Sequence, residues 1–137
     1  MREILFRGKS NSSYGKVKKG DWLYSMTIQP HCSTDTEITS YYIGGGNNTI
    51  DGKTLGQYTG LTDKNGTKIF EGDIVVMNIK GYNTICKVAW ADNVAQFQLW
   101  QTNTIPHTPT ALNLGNYDCE IIGNIHDNPE LLKELGK

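Results

Sequence analysis

The chain has no cysteine pair to build on. Its three cysteines, Cys32, Cys86 and Cys119, are odd in number and far apart in 137 residues. No Cys-x-x-Cys or His-x-x-x-His spacing occurs, so a disulfide framework and a paired-ligand zinc site are both disfavoured. Cys86 and Cys119 lie in apolar, strand-like runs, where a reduced, buried thiol is the default. No apolar run approaches the length that crosses a bilayer. An apolar signal core is absent at the N-terminus, because Arg7 and Lys9 interrupt it, so no membrane partner and a cytoplasmic location are expected. A dominant charge sign is missing too. Thirteen Lys and Arg stand against 14 Asp and Glu, for a formal net charge of −1. That balance gives no global attraction to nucleic acid or to an anionic membrane. Apolar residues make up only 37%, whereas glycines number 15, which points to short strands and many turns.

What is present is unevenly distributed. From Met1 to Gly20 six cations (Arg2, Arg7, Lys9, Lys16, Lys18, Lys19) face one anion, Glu3, for a local charge of +5; the remainder carries −6. A basic head on an acidic body suits either a polyanion or the acidic body of a second copy. Within the head, Glu3 to Arg7 reads as a strand and Ser10 to Gly20 as a polar loop. Trp22, Tyr24, Met26 and Ile28 then recur at period two, the cleanest alternation of the N-terminal half. Pro30 to Asp35 breaks the pattern, and Glu37 to Ile43 resumes it. The run Gly44-Gly45-Gly46-Asn47-Asn48 is a candidate subdomain boundary, because glycine loses most entropy on ordering.

The stretch from Gly56 to Val76, GQYTGLTDKNGTKIFEGDIVV, organises the rest. Asn65-Gly66 predicts a two-residue hairpin loop with positive φ. Asp63 is placed to cap it, Gly72-Asp73 forms a second turn, and Ile74-Val75-Val76 starts a buried strand. Ile85 to Trp90 follows, with Cys86, Val88 and Trp90 on one face. Ala95 to Trp100 comes next, with Ala95, Phe97 and Leu99 inward. Thr102 to Asn116 is a long polar connection, and Cys119 to Ile122 the last strand. Asn128 as N-cap, Pro129 at the first position and Glu130 favouring the dipole predict one short helix that must dock on the strands.

Letters that resemble active-site motifs lack their context. Gly52-Lys53-Thr54 after a triple glycine is not followed by a helix, as a phosphate loop requires. His31, Cys32, Cys86, His107, Cys119 and His126 could hold zinc only without paired ligands. A Cys119–His126 nucleophile lacks any group that lowers the thiol pKa. Glu71 and Asp73 flank a turn, where carboxylates cap backbone amides. No catalytic, metal or cofactor residue is therefore assigned. The candidates for partner contact are Arg7, Lys16, Lys18 and Lys19 in the head, with Tyr82 at a turn tip and Trp100 on a polar strand face.

The stretch Gly56–Val76, together with GNIHDNPELL near the C-terminus and MREILFRGK at the start, closely resembles the YopX family of phage and prophage proteins. The three motifs lie at the beginning, middle and end of the chain. The approach Ile50-Asp51-Gly52-Lys53-Thr54-Leu55 departs from the family's Pro-containing one. The resemblance implies a phage or prophage origin and a mainly β fold with a small SH3-like barrel; it implies no known activity. The resulting expectation is an N-terminal β subdomain over 1–50 and an SH3-like barrel with a C-terminal helix over 51–137. The functional expectation is a non-enzymatic protein-binding or assembly module in the bacterial host cell. It would act as a homo-oligomer or on a host or phage protein, and the alternative is nucleic-acid binding through the basic head.

Overall fold

The protein is described by a computed structural model over residues 3–79, 81–91, 96–101, 110–111 and 119–133. Among these residues it is mainly β, with twelve strands and one short helix. The chain divides into two compact units, Met1–Tyr58 and Thr59–Lys137. The division falls inside a strand, whereas the sequence placed it after residue 50.

In the first unit β1 (Phe6–Lys9) pairs antiparallel with β2 (Trp22–Ser25) and, on its other side, with the opening residues of β6 (Gly56–Thr62). A second sheet has the order β3 (Ile28–Ser33), β4 (Ile38–Ile43), β5 (Thr49–Asp51), all antiparallel. The Gly44–Asn48 run is thus a hairpin turn within this unit, closed by the Ile43 N–H donating to the Asn48 carbonyl at 3.0 Å. It does not mark the boundary, because β5 and the following 3₁₀ turn Gly52–Thr54 belong with β4 and β1. Pro30, expected to break the pattern, sits inside β3. It is tolerated there because β3 is an edge strand and bulges between Pro30 and Cys32.

The core of this unit centres on Ile50, which is fully buried, with Ile43 and Tyr58. Gly8 packs directly on Ile50: a Cβ at Gly8 would lie 2.2 Å from Ile50 Cδ1 and 2.9 Å from its Cβ. Ser10 to Gly20 is an ordered loop. The Ser10 N–H donates to the Asp21 carbonyl, the Gly20 N–H to the Ser10 carbonyl, and Tyr14 and Val17 exchange a pair of backbone bonds. The Lys18 N–H donates to the Asp21 carboxylate and the Lys19 N–H to the Ser13 hydroxyl.

In the second unit the rest of β6 turns into β7 (Lys68–Phe70). A five-stranded sheet follows, in the order β11 (Thr110–Ala111), β10 (Gln96–Gln101), β9 (Tyr82–Ala91), β8 (Asp73–Ile79), β12 (Cys119–Asn124). Among the described residues this sheet is open, and no closed barrel forms. Its core is Ile69, Val75, Met77, Cys86, Val88, Leu99 and Cys119. The larger aliphatic members each contribute roughly 1.5–3 kcal/mol of burial free energy. Trp90, expected in the core with Cys86 and Val88, lies 43% exposed and meets Phe97 edge to face at 5.0 Å.

The organising turn differs in detail from the expected two-residue loop. The Gly66 N–H donates to the Asp63 carbonyl at 3.0 Å and the Asp63 N–H to the Thr67 carbonyl at 2.8 Å. Lys64 and Asn65 are therefore the central residues, and Gly66 follows them at φ 81° in the position of a bulge. Asp63 selects this form, because its carboxylate accepts from both the Asn65 and Thr67 N–H groups. Gly66→Val should cost at least roughly 1 kcal/mol, since a β-branched residue is penalised at positive φ. Urea unfolding checks this; an unchanged midpoint would contradict the assignment.

The same turn covers the outer strand β12. The Lys64 N–H donates to the Cys119 carbonyl at 2.9 Å, and the Ile121 N–H to Asp63 Oδ2 at 3.1 Å. Covering an edge in this way removes a template for unwanted strand pairing. After β12 the Asn124 carboxamide accepts from the His126 and Asp127 N–H groups. Helix α1 (Glu130–Lys133) then begins, with Glu130 in its first turn. The Asn128 carbonyl accepts from the Leu131 N–H, while its side-chain oxygen reaches back to the Asn124 N–H at 3.2 Å.

Candidate functional site: the outer face of the first hairpin

Strand alternation decides what the basic head presents. Arg7 lies opposite Tyr24 and Lys9 opposite Trp22, so these four side chains share one face of the β1–β2 hairpin. Gly8 is on the other face, against Ile50. The Arg7 guanidinium lies 4.6 Å from the centre of the Trp22 ring and the Lys9 ammonium 5.7 Å. Both distances are within cation–π range. Arg7 is only 6% exposed, whereas Tyr24 is 54% and Met26 71% exposed. Exposure thus rises along β2 from half-buried Trp22 to Tyr24 and Met26, while Arg7, directly opposite Tyr24, is enclosed. Beyond the strands, Lys16, Lys18 and Lys19 are all exposed on the ordered loop.

The sequence candidates separate accordingly. Lys16, Lys18 and Lys19 stand together on one loop. Arg7 is held under Trp22 and offers little surface to a partner. Tyr82 opens β9 and Trp100 lies in β10; their side chains fall outside the described residues. Sequence reasoning passed over Lys9, Trp22, Tyr24 and Met26 as contact residues. The available signal was the period-two run Trp22/Tyr24/Met26 read against Arg7 and Lys9, two residues apart on the neighbouring strand.

Several groups singled out in the sequence are engaged in local structure. Gly52-Lys53-Thr54 forms the 3₁₀ turn, with the Asp51 carboxylate accepting from the Lys53 N–H at 3.0 Å. The Thr54 hydroxyl donates to the Asp51 carbonyl at 2.7 Å and accepts from the Lys9 N–H at 2.8 Å. A Cβ on Gly52 would meet the Ile38 carbonyl oxygen at 2.7 Å, so close packing requires that glycine. A groove of about 340 Å³ beside it is lined by Glu37, Ile38, Thr39, Asp51, Gly52 and Lys53. The Lys53 N–H, which a phosphate would need, is already bonded. Asp73 is buried and accepts from the Phe70 N–H at 2.7 Å. Among the described residues no three of His, Cys, Asp and Glu converge to hold an ion; His107 lies outside them.

The thiols differ sharply. Cys32 is exposed, with its Sγ 3.4 Å from His31 Nδ1, which also meets the Ser40 hydroxyl at 3.0 Å. Cys86 and Cys119 are buried. Desolvation, with the neighbouring Cys119, pushes the Cys86 thiol up to about 12. An aromatic disulfide reagent at neutral pH should therefore modify one thiol, Cys32, in the folded protein and all three only after unfolding. Two or three fast thiols would contradict the burial of the pair.

Comparison with known proteins agrees with this architecture. The crystal structure of protein EF1440 from Enterococcus faecalis is similar to this chain, with a TM-score of 0.58 and 23% identity. The match covers 96% of this chain and 99% of that one. At that identity the likeness concerns the fold. No curated protein matches. The sequence matches the family described as YopX protein over residues 5–133. The chain belongs to the YopX family.

Proposed function

We propose that this protein is a non-enzymatic binding and assembly module. It is a phage or prophage accessory protein that works in the cytoplasm of the bacterial host cell through protein–protein contacts, as a homo-oligomer. Its second unit is read as a small SH3-like barrel, open among the described residues. One observation carries the functional reading. The basic head is an ordered hairpin that presents exposed lysines on its loop and, further along β2 and just past its end, an exposed Tyr24 and Met26, a contact surface whose ordering entropy is already lost. Sedimentation velocity over a concentration series tests it: a species above monomer mass, weakened by salt, is expected. A monomer at every concentration overturns the homo-oligomer.

Nucleic-acid binding is the second reading, favoured by lysines next to aromatics. It is weakened at Trp22, because Arg7 and Lys9 already occupy the π surface on which a base would stack. A labelled oligonucleotide shifted at micromolar protein, with affinity falling steeply as salt rises, would decide for it.

A further inference from the structure

The first unit contains seven Lys and Arg against five Asp and Glu, and the second six against nine. The two units are therefore of opposite sign. The excess of each is locally placed. On the first unit, Lys16, Lys18 and Lys19 are exposed on the loop that leads from β1 into β2, whose outer face carries Tyr24 and, just past its far end, Met26. On the second, Asp127 and Glu130 are exposed between β12 and α1. Glu120 and Ile122 stand on β12 itself; Ile122, 37% exposed, sits at the bulge between Ile121 and Gly123. Glu120 lies 3.3 Å from Lys64 of its own chain, and the Asp127 carboxylate accepts from the Asn124 carboxamide at 3.2 Å while remaining exposed, as Glu130 is.

Both surfaces are preorganised. The lysine loop is tied by the Asp21 carboxylate and the Ser13 hydroxyl, and its Tyr14 hydroxyl accepts from the Asn47 carboxamide at 3.1 Å. The acidic segment is held by the Asn124 carboxamide and by the Ile125 N–H donating to the Gly72 carbonyl at 2.9 Å. Each surface carries exposed apolar side chains and exposed charges of one sign on the same short segment, and the charges are opposite between the two. An interface needs a desolvated apolar centre for affinity and charges at the rim for steering and register.

Resting on the self-association reading above, we infer that the β1–β2 hairpin of one copy docks on the β12–α1 segment of another. Tyr24 and Met26 pack towards Ile122, and Lys16, Lys18 and Lys19 face Asp127 and Glu130.

A charge-swap experiment on the full chain tests this, read by sedimentation velocity. Lys18→Glu/Lys19→Glu in one chain, and Glu130→Lys in a second, should each weaken self-association about tenfold or more. Mixing the two variants should restore association, because the mixture offers a hairpin and a segment of opposite sign again. Tyr24→Ser/Met26→Ser should weaken association without changing its salt dependence. Circular dichroism and thermal melts of each variant confirm that the chain is folded. If the unmodified protein associates but mixing restores nothing and Tyr24→Ser/Met26→Ser is neutral, this interface is wrong while the assembly reading stands. If the unmodified protein is a monomer throughout, both fall. If the lysine variant instead loses an oligonucleotide shift that the unmodified protein shows, the hairpin is a nucleic-acid surface.

Discussion

Gly8→Ala should destabilise the first unit by about 3 kcal/mol. The added methyl has nowhere to go, because the fully buried Ile50 already has its Cδ1 2.2 Å and its Cβ 2.9 Å from that position. Both are inside the shortest distances that packed carbons adopt, so either β1 or Ile50 must move. Neither is free to do so. β1 is held by β2 on one side and by β6 on the other, and Ser10 next along the chain bridges to Ile50 itself. Overpacking a core costs typically about 1–3 kcal/mol, and a backbone pinned on both sides places this site at the upper end. The compensating change is specific. Ile50→Val removes the Cδ1 that makes the closest contact, at a cost of about 0.5–1.5 kcal/mol on its own. The double variant Gly8→Ala/Ile50→Val should therefore be more stable than the two single losses added together. Urea midpoints for the four proteins of this cycle give the coupling directly. Additive losses would mean that the two residues do not meet.

Features set by alternation and local turn chemistry were legible in the sequence. At β9 and β10 alternation placed Cys86, Val88 and Leu99 inward, and they lie in the core; Phe97, read the same way, is half-buried, and Ala95 lies outside the described residues. Gly66 was located with its positive φ, because glycine, lacking a Cβ, adopts that conformation without steric cost. What was missed depended on partners distant in the chain. Asp63 bonds to Ile121, 58 residues away, a contact that no local pattern around the turn records. Pro30 stands in a strand because β3 happens to be an edge, a property of sheet order that no local pattern records. Trp90 has the parity of Cys86 and Val88 but is 43% exposed, with Phe97 against its edge. The contact face of the basic head was half visible. Its lysines could be counted, but that Arg7 is enclosed and Tyr24 open depends on the pairing of β1 with β2.

Removing the Asp63 side chain should cost about 3 kcal/mol, since three amides lose their acceptor together. Asp63 is buried, and its two oxygens accept from the Asn65, Thr67 and Ile121 N–H groups at 2.9, 2.9 and 3.1 Å. Each buried donor left without a partner costs about 1–3 kcal/mol, and turn relaxation towards water returns part of that for Asn65 and Thr67. Ile121 has less recourse, because its amide faces inward from β12 onto the turn. Asp63→Ala should therefore speed amide exchange at Ile121 far more than at Val88 in the neighbouring core. Asp63→Asn keeps one acceptor but turns an NH₂ group towards an N–H, so it should recover only about half of the loss. The charge adds a pH signature. Burial alone raises the Asp63 carboxyl, but the amides of Ile121, Thr67 and Asn65, with the Lys64 charge, outweigh it and hold the group below its ordinary value. The folded pKa is thus lower than the unfolded one of about 3.9. The resulting stabilisation is complete above the unfolded value and is lost as pH falls through the folded one. The stability gap between the unmodified protein and Asp63→Asn should be constant from neutral pH to about 5 and should narrow steadily below 4. A gap of the same size at pH 2.5 as at pH 7 would show that the carboxylate charge contributes nothing, and that Asp63 acts through shape alone.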